Sequence, residues 1–135
     1  HRTYMKRLGI SLDEAENTPV ALDNRSYTSY MLRAAYEGGE AEVMAAILSC
    51  ALSYEAIAKE ILKKNPEADR HPFYGEWVSG SASAEYHMEN ERLTSLMNRL
   101  TADYTPAQIE RLIDIFTACS RYEMSFWDMA WEMRR

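Results

Sequence analysis

Glu123 is a carboxylic acid placed among apolar residues. It lies seven residues after Phe116 and three before Phe126, so helical periodicity puts it on the apolar face of the last helix. Burial of a carboxylate is costly unless the group is protonated, hydrogen-bonded or paired with a cation. Such a position suits a proton donor, but it equally suits a structural glutamate that reaches an arginine such as Arg121 or Arg25. Sequence alone leaves both interpretations open.

Cys50 is a potential nucleophile on the apolar face of another predicted helix. It follows Val43 and Ile47 at helical spacing, and Tyr54 lies one turn later on the same face. An isolated cysteine in this setting is usually a small, unreactive apolar residue. Tyr54 changes that expectation slightly, because a buried phenol needs a hydrogen-bond partner. Cys119 has the same unreactive interpretation and no polar neighbour of this kind.

The histidines show no metal-binding pattern. A di-iron helical bundle needs a glutamate three residues before each histidine, whereas Ala68 and Ala84 precede His71 and His87 at that spacing. His87 has Glu91 one turn later, which is a common surface pair. The sequence also has no glycine-rich phosphate loop. We therefore expect neither a metal nor a cofactor.

Helical periodicity predicts the elements that must position these residues. The clearest amphipathic helix spans residues 40–64. Capping patterns at Ser11 and Thr105 mark the starts of a short helix and of the last helix. Between them, Asp23 or Asn24 is expected to cap the helix that precedes residue 40.

The remainder of the chain is also predicted to be helical. Pro72 suits the first position of a helix that continues to Leu100, with a close approach or a kink at the small residues 80–83. No strand pattern, internal repeat or linker is present. The sequence predicts an all-α fold, a helical bundle in which residues 1–135 form a single domain with four substantial helices.

Composition narrows the classes of function. The 135 residues carry a net charge of −6 and no long basic run, which disfavours nucleic-acid binding. The longest unbroken apolar run, Val43–Leu48, is too short to span a bilayer, so no membrane association is expected. Two cysteines without metal-type spacing are typical of a reducing compartment. We therefore expect a cytoplasmic protein.

Four groups of residues have the order and spacing of the motifs of one enzyme family. They are Ser26–Met31, Leu48-Ser49-Cys50 with Tyr54, His71–Tyr74 with Trp77, and Tyr122-Glu123 with Phe126-Trp127 and Met129-Ala130. Through this combination the chain resembles the TenA (thiaminase II) family over essentially all its residues. The resemblance implies a helical fold like that of haem oxygenase, without haem, and a homotetramer.

The same resemblance implies an activity. TenA-type enzymes hydrolyse 4-amino-5-aminomethyl-2-methylpyrimidine to the hydroxymethyl pyrimidine in thiamin salvage, and many cleave thiamin. Cys50 matches the nucleophile that adds to the pyrimidine ring, and Glu123 matches the acid/base residue. Tyr27 and Tyr54 match tyrosines around the pyrimidine and the cysteine, and Phe126 matches an aromatic lining residue. An aminopyrimidine or thiamin is then the expected small-molecule partner.

Two departures from the family pattern accompany the resemblance. The N-terminal helices of the family have no counterpart, and the sequence begins at His1 within a predicted helix, so the chain is expected to be the C-terminal part of a larger TenA-like domain. An exposed apolar face is expected where those helices would pack. Ser81 stands where the family commonly has a tyrosine. It motivates the alternative of a non-catalytic relative that binds a pyrimidine-like ligand, and a scaffold without any site is a third interpretation.

Overall fold

The computed structural model describes residues 2–134, and within this range every regular element is helical. The elements are α1 (Arg2–Arg7), α2 (Leu12–Asn17), α3 (Leu22–Glu37), α4 (Glu40–Lys64), a short 3-10 turn (Ala68–Arg70), α5 (Gly75–Ser81), α6 (Ala84–Leu100) and α7 (Pro106–Glu132). The predicted all-α fold is confirmed. His1, where the sequence begins, lies outside the described residues.

The start of the last helix agrees with its sequence signals. Thr105 caps α7, because its hydroxyl accepts from the backbone N–H of Gln108 at 3.4 Å. The side chain of Gln108 in turn accepts from the N–H of Thr105 at 2.9 Å, and Pro106 occupies the first turn. These bonds satisfy amides that a helix start otherwise leaves free. Ser11 caps α2 in the same way, accepting from the N–H of Glu14 at 3.1 Å.

The predicted caps at Asp23 and Asn24 are wrong. Helix α3 begins at Leu22, and its N-cap residue Ala21 makes no side-chain capping bond. The carboxylate of Asp23 has another partner, because it accepts a 2.6 Å hydrogen bond from the hydroxyl of Ser125 on α7. The carboxylate that the local pattern assigned to a helix cap therefore makes a contact between two helices instead.

The predicted helix from Pro72 to Leu100 is two helices. Pro72 precedes α5 in a turn in which the ring nitrogen Nδ1 of His71 accepts from the next two free backbone amides, each at 3.2 Å. The chain breaks again after α5, and Ser83 caps α6 by accepting from the N–H of Tyr86 at 3.1 Å. Small residues at this point therefore allow a sharp change of direction instead of a kink.

Helix α4 lies at the centre of the bundle and packs against α3, α5, α6 and α7. Its alanines Ala41, Ala45 and Ala46 are buried against Leu112 and Ile115 of α7. Small side chains allow the two helices to approach closely. By length and composition α4 could cross a membrane, but an apolar central helix of a bundle meets the same criteria. This packing brings the middle of α4 against the second half of α7.

A polar network around the buried carboxylate of Glu55 joins α4 to α6. Glu55 accepts from the side-chain amide of Asn90, lies 2.7 Å from Nδ1 of His87, and pairs with Lys59. These partners, with Lys59 the largest contributor, lower the pKa of Glu55 from 4.5 to about 2. The predicted pairing of His87 with Glu91 is therefore replaced by a contact between two helices.

Glu55→Gln is expected to lower the free energy of unfolding by about 1–2 kcal/mol near neutral pH, because hydrogen bonds to a buried charge are lost. The folded-state pKa of Glu55 lies below its unfolded value, so its stabilisation is present above pH 4.5 and is lost as pH falls towards 2. Urea unfolding should therefore show the two proteins converging over that range. Glu60→Gln is the matched control on the exposed side of α4, and an equal loss there would contradict the role of Glu55.

Candidate active site

Cys50 and Glu123 meet where α4 packs against α7. The thiol is half-buried on α4, and Glu123 is 7% exposed on α7. Burial, and then the nearby charge of Glu123, raises the pKa of the Cys50 thiol to about 12. The thiol is therefore neutral near pH 7 and needs a base before it can act as a nucleophile. Glu123 is close enough to be that base.

One oxygen of Glu123 lacks a partner. Its Oε2 atom is buried and makes no hydrogen bond within residues 2–134. None of the ion pairs in that range joins Glu123 to Arg121 or Arg25, the partners expected of a structural glutamate. A buried carboxyl oxygen without a partner is rare in folded proteins. Glu123 is thus available to exchange a proton with a bound molecule.

Two predicted tyrosines face the same carboxyl group. Burial raises the pKa of Tyr27, and the interaction with Glu123 raises it further, although Ser49 lowers it. Burial, followed by the charges of Glu123 and Cys50, raises the pKa of Tyr54. Both phenols therefore stay neutral near pH 7 and can donate or accept hydrogen bonds.

Aromatic contacts fix the orientation of these two phenols. The ring of Tyr27 stacks on that of Tyr122, with centroids 5.5 Å apart and planes inclined by 10°. The ring of Tyr54 meets the edge of Trp77 at 5.6 Å and is tilted against Trp127 at 5.9 Å. Such pairs add stabilisation beyond apolar burial, so they hold the rings in place.

The remaining predicted residue, Phe126, lies one helical turn after Glu123 on α7. It is half-buried, and its ring meets the edge of Trp127 with centroids 5.8 Å apart. Trp127 in turn contacts Tyr54. Phe126 therefore belongs to the aromatic cluster that adjoins the thiol, and its contact with a ligand stays a prediction.

Tyr86 faces the same cluster but was not predicted from the sequence. It is half-buried in the first turn of α6, where burial raises its pKa and the charges of Cys50, Glu55 and Glu123 add to the effect. Its spacing along α6 gives no indication of this role, because only the packing of α6 against α4 brings the two helices together.

A known protein family matches the chain in which this thiol, this unpartnered carboxyl group and these neutral phenols lie. The model of the TENA/THI-4/PQQC family matches residues 1–133. The chain belongs to this family. It is 41% identical over 132 residues to the aminopyrimidine aminohydrolase of Helicobacter pylori, covering 98% of this chain and 60% of that protein. It is 40% identical over 134 residues to the aminopyrimidine aminohydrolase of Halalkalibacterium halodurans, covering 99% of this chain and 59% of that protein.

A solved structure supports the same assignment. The TenA homologue protein from P. horikoshii OT3 superposes with a TM-score of 0.81 and 33% sequence identity, covering 96% of this chain and 59% of that chain. The predicted resemblance to the TenA family is therefore confirmed, but the family match over residues 1–133 shows that the chain covers most of the domain and not only its C-terminal part. The chain spans about 60% of the length of these two curated relatives.

Two cavities of this TENA/THI-4/PQQC family member adjoin the aromatic cluster. The larger, about 1020 Å³, is lined by apolar side chains that include Ile57, Trp77 and Trp127, and neither Cys50 nor Glu123 lines it. The two tryptophans that contact Tyr54 form part of its wall. The larger cavity therefore does not contain the two candidate catalytic residues.

The smaller cavity, about 470 Å³, contains the residue that departs from the family pattern. Ser81 is buried in its wall beside Trp77 and Tyr86. The polar residues around it include three glutamates, namely Glu76, Glu85 and Glu89. A phenol from α6 is thus present next to Ser81, and it also faces Cys50.

Large apolar side chains are exposed along α4 and α7. They include Ile47, Ile57, Met124, Trp127 and Trp131.

Within residues 2–134 no three His, Cys, Asp or Glu side chains are arranged to hold a metal ion.

Proposed function

We propose that this protein is an aminopyrimidine hydrolase of thiamin salvage. It converts 4-amino-5-aminomethyl-2-methylpyrimidine and water to the hydroxymethyl pyrimidine and ammonia, or cleaves thiamin, or does both. The observation that carries this proposal is the buried, unpartnered oxygen of Glu123 beside the thiol of Cys50. The 41% sequence identity between this chain and the aminopyrimidine aminohydrolase of Helicobacter pylori supports the choice of substrate class.

In the proposed reaction, Glu123 moves protons while Cys50 forms and breaks one bond. Glu123 gives a proton to a ring nitrogen and takes the thiol proton as the sulfur of Cys50 bonds to a ring carbon. The bond to the exocyclic amine, or to the thiazole of thiamin, then breaks. Water adds to the exocyclic carbon, Glu123 exchanges the remaining protons, and the carbon–sulfur bond breaks to release the product and the thiol.

Side chains around the thiol are proposed to hold the flat ring. Tyr27, Tyr54 and Phe126 present aromatic surfaces, and the two tyrosines add neutral hydroxyls, which suit a neutral heteroaromatic ring. The proposal needs no cofactor or metal, because the bond formed and the protons moved are supplied by Cys50 and Glu123. It also includes a homotetramer, as the family resemblance implies, and a cytoplasmic location, as the cysteine usage predicts.

Steady-state hydrolysis of the aminomethyl pyrimidine and of thiamin tests the proposal. We expect turnover of one or both, followed by release of ammonia or of the thiazole. Retained binding of the pyrimidine without turnover would instead favour a non-catalytic relative, for which Ser81→Tyr is the next variant. A protein that neither binds nor hydrolyses either compound would overturn the proposal.

A further inference from the structure

The smaller cavity, beside Ser81, has aromatic walls. The rings of Trp77 and Tyr86 are half-buried in it, and its volume of about 470 Å³ is within the usual size of a small-molecule pocket. Trp77 also meets the ring of Tyr54 at 5.6 Å, and Tyr54 lies one helical turn after Cys50 on α4. The cavity therefore adjoins the proposed site through a shared tryptophan.

Ser81 presents a hydroxyl without a protein partner to this cavity. The residue is 6% exposed and lines the cavity wall. The hydroxyls of Ser53 and Ser79 donate to the backbone carbonyl three residues earlier, whereas that of Ser81 makes no hydrogen bond within residues 2–134. Buried hydroxyls are normally hydrogen-bonded. The hydroxyl of Ser81 is thus available to a molecule in the cavity.

Three carboxylates give the edge of the cavity a negative charge. Glu76 pairs with Arg7 at 2.8 Å and Glu89 pairs with Arg92 at 3.1 Å, but neither arginine lines the cavity. Glu85 forms no ion pair within residues 2–134. The helix dipole favours a carboxylate in the first turn of α6 without any ligand, but it does not account for the aromatic walls or the unpartnered hydroxyl.

Aromatic rings and a carboxylate around one cavity suit an organic cation. A positive charge is attracted to the faces of tryptophan and tyrosine rings as well as to a carboxylate. Of the two proposed substrates, thiamin has a permanent positive charge on its thiazolium ring. The same ring has a hydroxyethyl arm, whose hydroxyl can bond with that of Ser81.

We propose that this cavity binds an aromatic cation, the thiazolium ring of thiamin, with Trp77 and Glu85 holding the charge and Ser81 bonding the arm. The link to turnover rests on the proposed function, because the pyrimidine of the same molecule would then lie at Cys50. Thiamin is accordingly the preferred substrate, since the aminomethyl pyrimidine lacks the second ring. Affinity for the cation itself needs no turnover and can be tested alone.

NMR titration of the Trp77 indole N–H tests the proposal, with Trp77→Phe identifying the signal. The probes are 3,4-dimethyl-5-(2-hydroxyethyl)thiazolium and 4-methyl-5-(2-hydroxyethyl)thiazole, which has the same ring and arm without the charge. We expect the cation to move the signal with a Kd at least about fivefold lower than that of the neutral ring. Equal Kd values for the two probes would overturn the proposal.

Variants of the cavity locate the binding. Glu85→Gln should weaken cation binding about threefold, because one partly screened charge is lost. Ser81→Ala should weaken it about three- to tenfold through loss of a hydrogen bond. Ser81→Tyr fills the cavity and should abolish binding of both probes, with circular dichroism checking that its helices persist. Binding that survives both Ser81 substitutions unchanged would overturn the proposal.

Glu91→Gln is the matched control, because Glu91 is exposed on α6 and does not line the cavity. It should leave the Kd of the cation unchanged. A loss equal to that of Glu85→Gln would attribute the effect to overall charge and would also overturn the proposal.

Turnover separates this inference from the proposed function. With Glu85→Gln the KM of thiamin should rise about threefold while kcat changes by less than about twofold. Cation binding at Trp77 in a protein that hydrolyses neither compound would support the cation site and count against the proposed function. Hydrolysis of thiamin without cation binding in the cavity would overturn this inference and leave the proposed function intact.

Discussion

Cys50→Ser is expected to lower the turnover of the aminomethyl pyrimidine by at least about a thousandfold, as loss of a nucleophile commonly does. Serine keeps the size and the hydrogen-bonding capacity of the residue but offers a much weaker nucleophile to the ring. The substrate should still bind, because Tyr27, Tyr54 and Phe126 are unchanged. Steady-state kinetics combined with a direct binding measurement would separate the two effects.

The second cysteine provides a matched control. Cys119 is 0% exposed in the core between α4 and α7. Cys119→Ala should keep turnover within about threefold and lower the free energy of unfolding by about 1 kcal/mol through the small cavity it creates. Turnover that survives Cys50→Ser but falls with Cys119→Ala would show that our proposal names the wrong thiol, because Cys119 would then carry the chemistry.

The sequence predicts those parts of the fold whose signals are local. The limits of α4 and the capping box at Thr105 follow from side chains within three or four residues of each other. Helical periodicity also placed Cys50, Tyr54 and Glu123 on inward faces, because burial of an apolar stripe repeats with the helix. The convergence of α4 and α7 then brings those faces together.

Predictions failed where a partner lies far along the chain. Asp23 binds Ser125 on α7 and does not cap α3, and His87 pairs with Glu55 on α4. Spacing within a helix indicates which residues share a face, but it does not indicate which helix that face meets. The position of Tyr86 near Cys50 was not predicted for the same reason, because it depends on the packing of α6 against α4.

The orientation of a proton is a further property that spacing does not indicate. Ser49 was visible only as a neighbour of Cys50 in a motif. Its bonds to Ala46 and Tyr27 depend on the rotamer of one buried hydroxyl. Residue types and spacing thus predicted which helix faces carry the candidate residues, whereas the hydrogen-bond partners of Ser49 required the packed structure.

Glu123→Gln is expected to lower turnover by about a hundredfold to ten-thousandfold, the usual contribution of an acid/base residue. Glutamine has almost the same shape, so the packing between α4 and α7 should persist. It cannot give a proton to the ring or take one from the thiol. Glu110→Gln, an exposed position on the same helix, is the matched control and should leave turnover unchanged.

The same substitution should change the reactivity of Cys50 in the opposite direction. The charge of Glu123 contributes to raising the thiol pKa to about 12, so its removal increases the fraction of thiolate. Alkylation of Cys50 by iodoacetamide at about pH 9 should therefore become at least about threefold faster while turnover falls. Mass spectrometry of the modified peptide distinguishes Cys50 from the buried Cys119.

If alkylation and turnover both fell, Glu123 would be acting on the position or exposure of the thiol, and its assignment as the proton carrier would be wrong. A faster-reacting thiol in a slower enzyme would show that nucleophilicity is not what limits the reaction, because the missing component is then the proton that Glu123 carries.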